Sequence, residues 1–385
     1  MAVTRGPVED RRKTIVLAAG GTGGHLFPAQ ALAEILGERD FAVHLMTDRR
    51  GRDYGDRFPA IRIFEIPSAT VTPRQPLRLP GQLWRLATGY LKSRRLLKML
   101  APAAVMGFGG YPSIPPLTAA GRMGLPVFLH EQNAVMGRAN RFVAAESSLI
   151  ATAFSEVAKL PEGKAGAAVF TGNPVREAVH DAAKISYALP GSEDPFRLLV
   201  FGGSQGAQIF SEVVPKALTG LPAAMRRSLK VTQQCRPEDV ETVRAFYLEA
   251  GIEAEVAPFY TDLARRIARA HLVVARAGAS TVAELGVIGR PAILVPLPHA
   301  LDNDQLLNAR AFTRDGGGWI IEQREFTSEK LSALVMRLRY DEDRLAFAAD
   351  AARRFGTPDA AMRLADAVER ALRATCVRTD ADKLL

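Results

Sequence analysis

The sequence predicts an α/β protein made of two Rossmann-like, doubly wound domains, on three observations. Short apolar runs alternate with helix-period segments along most of the chain. A strand, glycine-rich turn and helix occur at residues 14–36 and again, half a chain later, from 196 to about 218. The 385 residues are enough for two domains that each bury a core.

In chain order, TIVLAA at 14–19 reads as the first strand, GGTGG at 20–24 as its turn, and a helix follows from about Pro28 to Leu36. Val127, Phe128 and Leu129 read as a buried strand ending at His130. The stretch 173–195, with its prolines and Gly191, reads as a linker. RLLVF at 197–201 opens the second half, and LVVA at 272–275 is a further strand that runs into Arg276–Gly278 and a helix. Met362, Leu364, Ala365, Val368 and Leu372 give the tail a helical period. The expected domains are 1–176, joined by a C-terminal helix at about 355–375, and 177–354, with a ligand cleft between them.

Composition narrows the function classes. At 48% hydrophobic and 24% charged residues the chain is globular. Its net charge of +9 favours an anionic partner. Cys235 and Cys376 are too few for a disulfide scaffold or a four-cysteine zinc site. Neither a signal-peptide pattern nor a run of about 18 apolar residues is found, so no spanning helix is expected. No zinc-finger spacing or RNA-recognition pattern supports nucleic acid as the partner.

Glycine loops carry the chemistry. Gly20–Gly24, Gly107–Gly110 and Gly202–Gly206 allow close backbone approach, and the helix start after such a loop offers free N–H groups to an anion. Leu26 breaks the dinucleotide fingerprint and no Gly-Lys-Ser/Thr follows, so NAD binding and ATP hydrolysis are disfavoured. Three such loops point to a diphosphate or sugar phosphate.

Taken together, GGTGGHLFPAQALA, GFGGYPSIP, HEQNAVMGRAN, TGNPVR, GGSQGA, RAGASTVAEL and PHALDNDQLLNA resemble, in order and spacing, the MurG family of bacterial peptidoglycan glycosyltransferases. The likeness spans roughly residues 14–309. It implies a GT-B fold whose final helix crosses back to the first domain. The implied reaction is inverting transfer of GlcNAc from UDP-GlcNAc to the C4 hydroxyl of MurNAc in undecaprenyl-diphospho-muramyl-pentapeptide (lipid I), giving lipid II. It implies no cofactor, a peripheral place on the cytoplasmic face of the inner membrane, and proteins of cell-wall synthesis and division as further partners.

Glu284, one turn into the helix after Arg276–Gly278, is either a favourable first-turn acid or an acceptor for two vicinal hydroxyls. The resemblance assigns it to the ribose of UDP. It likewise points to Arg176, Ser204, Ser280 and Thr281 as donor contacts, Gln305 as a sugar contact and the backbone near Tyr260 as the uracil reader. Gln208 and Ser211 depart from the family pattern and are given no role. Thr22, Gly23, Gly24 and Asn133 are further candidates for UDP-GlcNAc. Gly23, Gly24, Gly109, Gly110 and Tyr111 are candidates for the acceptor diphosphate.

The attack needs a general base, for which His25 and Glu131 compete, with His130 read as structural. Asp302–Asp304 and Asp341–Asp343 satisfy a loose metal-binding spelling but also suit helix starts, and no obligatory metal is expected. Finally, residues 66–130 hold no carboxylate. Within them Leu79, Leu83, Trp84, Leu86 and Tyr90, with Arg94, Arg95 and Lys98, form a basic amphipathic helix expected to lie on an anionic membrane.

Overall fold

The computed structural model describes residues 13–53, 58–69, 79–164, 166, 168–191, 194–203, 207–298 and 301–382. The chain divides into two compact units: Met1–Gln132 with Met136–Pro174 and Asp359–Leu385, and Asn133–Val135 with Val175–Pro358.

The first unit runs β1 (Lys13–Ala18), α1 (Gly23–Glu38), β2 (Phe41–Thr47), α2 (Arg49–Asp53), β3 (Arg62–Glu65), α3 (Leu79–Leu100), β4 (Ala104–Gly107), α4 (Ile114–Arg122), β5 (Val127–Glu131), α5 (Arg138–Val143), β6 (Leu149–Thr152) and β7 (Ala168–Phe170). Its strands form one parallel sheet in the order β3-β2-β1-β4-β5-β6-β7. Such a sheet is covered on both faces, which explains the uninterrupted apolar run of β1. Ile15 and Leu17 pack on one face with Leu32 of α1, while Val16 packs on the other with Leu97 of α3 and Leu117 of α4.

The second unit runs α6 (Glu177–Ala183), β8 (Phe196–Phe201), α7 (Gln208–Thr219), α8 (Ala223–Ser228), β9 (Leu229–Gln234), α9 (Val240–Glu249), β10 (Glu253–Ala257), α10 (Leu263–Arg269), β11 (Leu272–Ala275), α11 (Ala279–Ile288), β12 (Ala292–Leu294), α12 (Asp304–Thr313), β13 (Gly318–Ile320), α13 (Ser328–Arg339) and α14 (Glu342–Phe355). Its sheet is also parallel, in the order β10-β9-β8-β11-β12-β13. The last helix, α15 (Ala360–Asp382), belongs to the first unit. Leu364, Val368 and Leu372 join the cluster around Ile15 and Leu17, and Arg39 after α1 pairs with Asp366 and Glu369 at 2.7 and 2.8 Å.

In both sheets the strand order reverses beside the first strand, between β1 and β4 and between β8 and β11. Ligands of doubly wound sheets bind at the carboxyl ends of strands flanking that reversal. The glycine loops lie there. One helix boundary differs from expectation: α1 starts at Gly23, with Pro28 inside it. Pro28 lacks the N–H that would reach the Gly24 carbonyl, so α1 forgoes one backbone hydrogen bond there.

Candidate half-sites for donor and acceptor

In the first unit, the turn after β1 and the turn after β4 are built against each other. Gly21, Gly109 and Gly110 have φ of 79°, 83° and 77°, the left-handed region that favours glycine. A Cβ on Gly20 would lie 2.4 Å from the Pro112 ring, so the two turns meet only because Gly20 has no side chain. Gly21 N donates to Asp48 Oδ1 at 3.2 Å. Thr22 is the N-cap of α1 but makes no side-chain capping bond. The N–H groups of Gly23 and Gly24, in the first turn, have no partner inside the helix. Tyr111 follows, half-buried.

His25 stands in this first turn, half-buried, with its imidazole against the other loop. A Cβ on Gly109 would be 3.4 Å from its Cε1, and one on Gly110 3.3 Å from its Cδ2. Its Nδ1 lies 3.1 Å from Gln132 Oε1. Gln132, which sequence reasoning passed over, is buried. Its Nε2 donates to His130 Nδ1 and to His130 O, both at 3.0 Å, and His130 Nε2 lies 3.1 Å from Gly172 O. Burial pushes the His130 imidazole down to about 4, with the Gly172 carbonyl opposing, so it is neutral at neutral pH. His130 is thus a core residue, as its place at the strand end suggested.

Glu131 requires a correction. Expected to compete with His25 as the general base, it is 1% exposed. Its Oε2 accepts from Gly137 N at 2.9 Å and from Asn140 Nδ2 at 2.8 Å, holding the turn before α5. The last residue of β5 is covered on both faces like the rest of the strand, and its carboxylate is spent on the chain that follows.

In the second unit, β11 ends in Arg276–Gly278 and α11 begins at Ala279 with Gly278 as N-cap. Ser280 Oγ is enclosed and makes no hydrogen bond among the described residues, and Thr281 lies beside it in the first turn. Glu284 is buried, and Arg176, the N-cap of α6, reaches its Oε1 at 3.4 Å. Desolvation raises the Glu284 carboxyl above its ordinary range, with the Arg176 guanidinium opposing. A buried acid with a raised carboxyl, paired to one partly exposed arginine, adds little to stability.

Gln305 sits in the first turn of α12 and accepts from Leu297 N at 3.0 Å through Oε1. Before it, Asp302 and Asn303 both carry positive φ, 62° and 57°, strained values for side-chain-bearing residues. Asp341, of the second acidic triplet, caps α14 by accepting from Arg344 N. Asn133 Oδ1 accepts from Asn308 Nδ2 at 3.0 Å, and Asn308 also bonds Ala134 N and Ala277 O. This fully buried Asn308 lies in the PHALDNDQLLNA motif, yet only its partners disclose its work of tying 133–135 to the loop after β11.

Tyr260 is buried, its hydroxyl spent on Glu255 O at 2.9 Å, with Arg266 stacked 4.1 Å over the ring. Its neighbour Phe259 is 61% exposed. Gly203 has a φ of 86°, whereas Ser204 lies outside the described residues.

The helix α3 presents Leu83, Trp84, Leu91 and Met99 outward, with Trp84 72% exposed, and Arg85, Lys92, Arg94, Arg95 and Lys98 exposed among them. Leu79 and Leu86 are half-buried. Tyr90 departs from the expected outward face and packs on the core cluster of Val105 and Leu117. The inner stripe is set by Gly89, Ser93 and Leu97, because a Cβ on Gly89 would meet the Pro67 carbonyl at 2.0 Å. No helix among the described residues is long and apolar enough to cross a membrane.

Two parallel doubly wound sheets, with glycine turns at their reversals and in the second unit a buried acid at a helix start, fit the GT-B class of nucleotide-sugar enzymes. The profile of the glycosyltransferase family 28 N-terminal domain matches residues 15–151 and that of its C-terminal domain residues 197–364. UDP-N-acetylglucosamine–N-acetylmuramyl-(pentapeptide) pyrophosphoryl-undecaprenol N-acetylglucosamine transferase of Sinorhizobium fredii is 54% identical over 92% of this chain and 94% of its own. The protein of the same name from Rhizobium meliloti is 52% identical with the same coverage. The crystal structure of Acinetobacter baumannii MurG superposes with a TM-score of 0.75 at 30% identity, over 93% of this chain and 99% of that one. A UDP-GlcNAc 2-epimerase from Neisseria meningitidis, at 12% identity and a TM-score of 0.64 over 93% of this chain and 100% of its own, shares the fold alone. The chain belongs to the MurG family of glycosyltransferase family 28.

Proposed function

We infer that this chain transfers GlcNAc from UDP-GlcNAc to the C4 hydroxyl of the muramyl sugar in a polyprenyl-diphosphate-linked acceptor, lipid I, forming lipid II for peptidoglycan. The observation that carries this reading is the 54% identity over 92% of the chain to a transferase named for that reaction. The donor half-site supports it with suitable chemistry. The start of α11 offers N–H groups and Ser280 Oγ to the diphosphate, and Glu284 accepts the two ribose hydroxyls. Arg176 lies near enough to Glu284 to answer the charge that develops on departing UDP. Thr281 and Gln305 stand in first turns where they serve the diphosphate and the sugar.

On the acceptor side, the first turn of α1 and Gly109–Gly110 suit the second diphosphate. His25 acts as base. The hydroxyl O–H bond breaks and its proton goes to the imidazole, while the oxygen forms its bond to C1 from the face opposite UDP. The C1–O bond to UDP breaks and its electron pair leaves with the diphosphate, so the anomeric centre inverts. The outward face of α3 holds the enzyme against an anionic membrane, where a lipid-linked acceptor resides.

The test is transfer of labelled GlcNAc to a short-chain lipid I analogue, with UDP-glucose and EDTA controls. A disaccharide product formed from UDP-GlcNAc, absent with UDP-glucose and unaffected by EDTA, is expected. UDP-GlcNAc binding with no transfer to this acceptor would discard the acceptor assignment and leave the donor half-site standing.

A further inference from the structure

The run His130-Glu131-Gln132 combines into something no single residue suggested. Gly172 O is only an acceptor, so His130 Nε2, 3.1 Å away, must carry a proton. Gln132 can present its amide to His130 in one orientation only. Its inner atom lies 3.0 Å from His130 O, another pure acceptor, and an amide oxygen there would be repelled. The inner atom is therefore Nε2, which also serves the lone pair of His130 Nδ1 at 3.0 Å. The neutrality of buried His130 is consistent with this. Gln132 must then turn its Oε1 toward His25 Nδ1, 3.1 Å away, and this contact is bonding only if Nδ1 carries the proton. His25 Nε2 makes no hydrogen bond among the described residues, and Gly109 and Gly110 leave the ring room to lie where it does.

We propose that Gln132 is a positioning residue that locks neutral His25 in its Nδ1–H tautomer, so that Nε2 holds the lone pair that receives the acceptor hydroxyl's proton. The orientation is inherited through a chain of fixed polar groups, from Gly172 O through His130 and Gln132 to His25. The inference rests on the reading of His25 as the base. It adds that the base is a preset tautomer, which a half-exposed histidine on its own would not maintain.

The test is a long-range nitrogen–proton NMR correlation on the full chain labelled at its histidine ring nitrogens, at about pH 8.5, where ordinary imidazoles are neutral. A His25→Gln sample identifies the His25 signals by their loss. The expected wild-type pattern for His25 is protonated Nδ1 and unprotonated Nε2. Gln132→Met keeps the side-chain length and removes both amide atoms. It should mix the His25 tautomers and lower kcat by between about tenfold and 10²-fold, less than the 10²–10⁴ that a positioned base contributes as a whole, with donor KM little changed. A wild-type His25 protonated on Nε2 overturns the proposal whether or not the variant folds. So does a folded Gln132→Met with unaltered tautomer and kcat. Normal turnover by His25→Gln overturns the base reading instead, and leaves the measured tautomer as it stands.

Discussion

Glu284 is a carboxylate placed where stability alone would not put it. Desolvation raises its pKa, and Arg176, the cation bonded to it, is itself about one-third exposed. A raised carboxyl favours folding when protonated and costs stability once the pH exceeds its folded pKa, so at neutral pH this group is a net burden. A ligand offering two hydroxyls reverses that balance, because hydrogen bonds to a buried charge contribute about 1.5–3 kcal/mol each. Glu284→Ala should therefore raise the donor KM by roughly tenfold to 10²-fold with a smaller change in kcat. In the proposed reading the charged form is the one that binds. Donor KM should thus begin to climb on acidification at a pH above the ordinary carboxylate range, and Arg176→Ala, which removes the opposing charge, should move that climb to still higher pH. Steady-state kinetics in UDP-GlcNAc across the acid range check both, and a pH-independent donor KM would remove Glu284 from the ribose.

At the scale of elements, the helix α3 shows how one apolar pattern serves two surfaces. Gly89, Ser93 and Leu97, at intervals of four, face inward, and Tyr90 packs with them. Leu83, Trp84 and Leu91 remain outside among five exposed cations. The period announced an amphipathic helix, but which residues were covered depended on α4 and on the Pro67 carbonyl, far along the chain. Each cation near an anionic bilayer is worth about 1 kcal/mol. Reversing Arg94, Arg95 and Lys98 to Glu should lower affinity for phosphatidylglycerol vesicles by about 10²-fold or more in co-sedimentation. Trp84→Ala should weaken binding without affecting the fold. Tyr90→Ala, by contrast, should lower the denaturation midpoint and leave vesicle affinity largely intact.

The whole molecule carries separate cores in its two units, gathered around Ile15 and Val16 on the two faces of the first sheet and around Leu198 and Val200 in the second. In this reading UDP engages residues of the second unit alone. A ligand bound only to the folded state at a hundred times its Kd stabilises by about 2.7 kcal/mol. Calorimetry with UDP should accordingly raise the melting transition of the second unit by several degrees. Glu284→Ala at the same UDP concentration should lose most of that shift, and an equal shift in the variant would show that the nucleotide is held elsewhere.

The amino-acid sequence by itself determined the parallel doubly wound sheets, the glycine turns at their reversals and membership of the family, because apolar period and turn chemistry are properties of neighbouring residues. Tertiary structure alone decided what individual polar groups do. Glu131 became a buried clamp because Asn140 and the Gly137 amide claim it, Tyr90 turned onto the core cluster that includes Leu117 of α4, and Gln132 gained its place because Gly172, forty residues on, fixes His130. Burial and hydrogen-bond saturation are set by whatever chain, near or distant, folds back around a group, and apolar period does not record that.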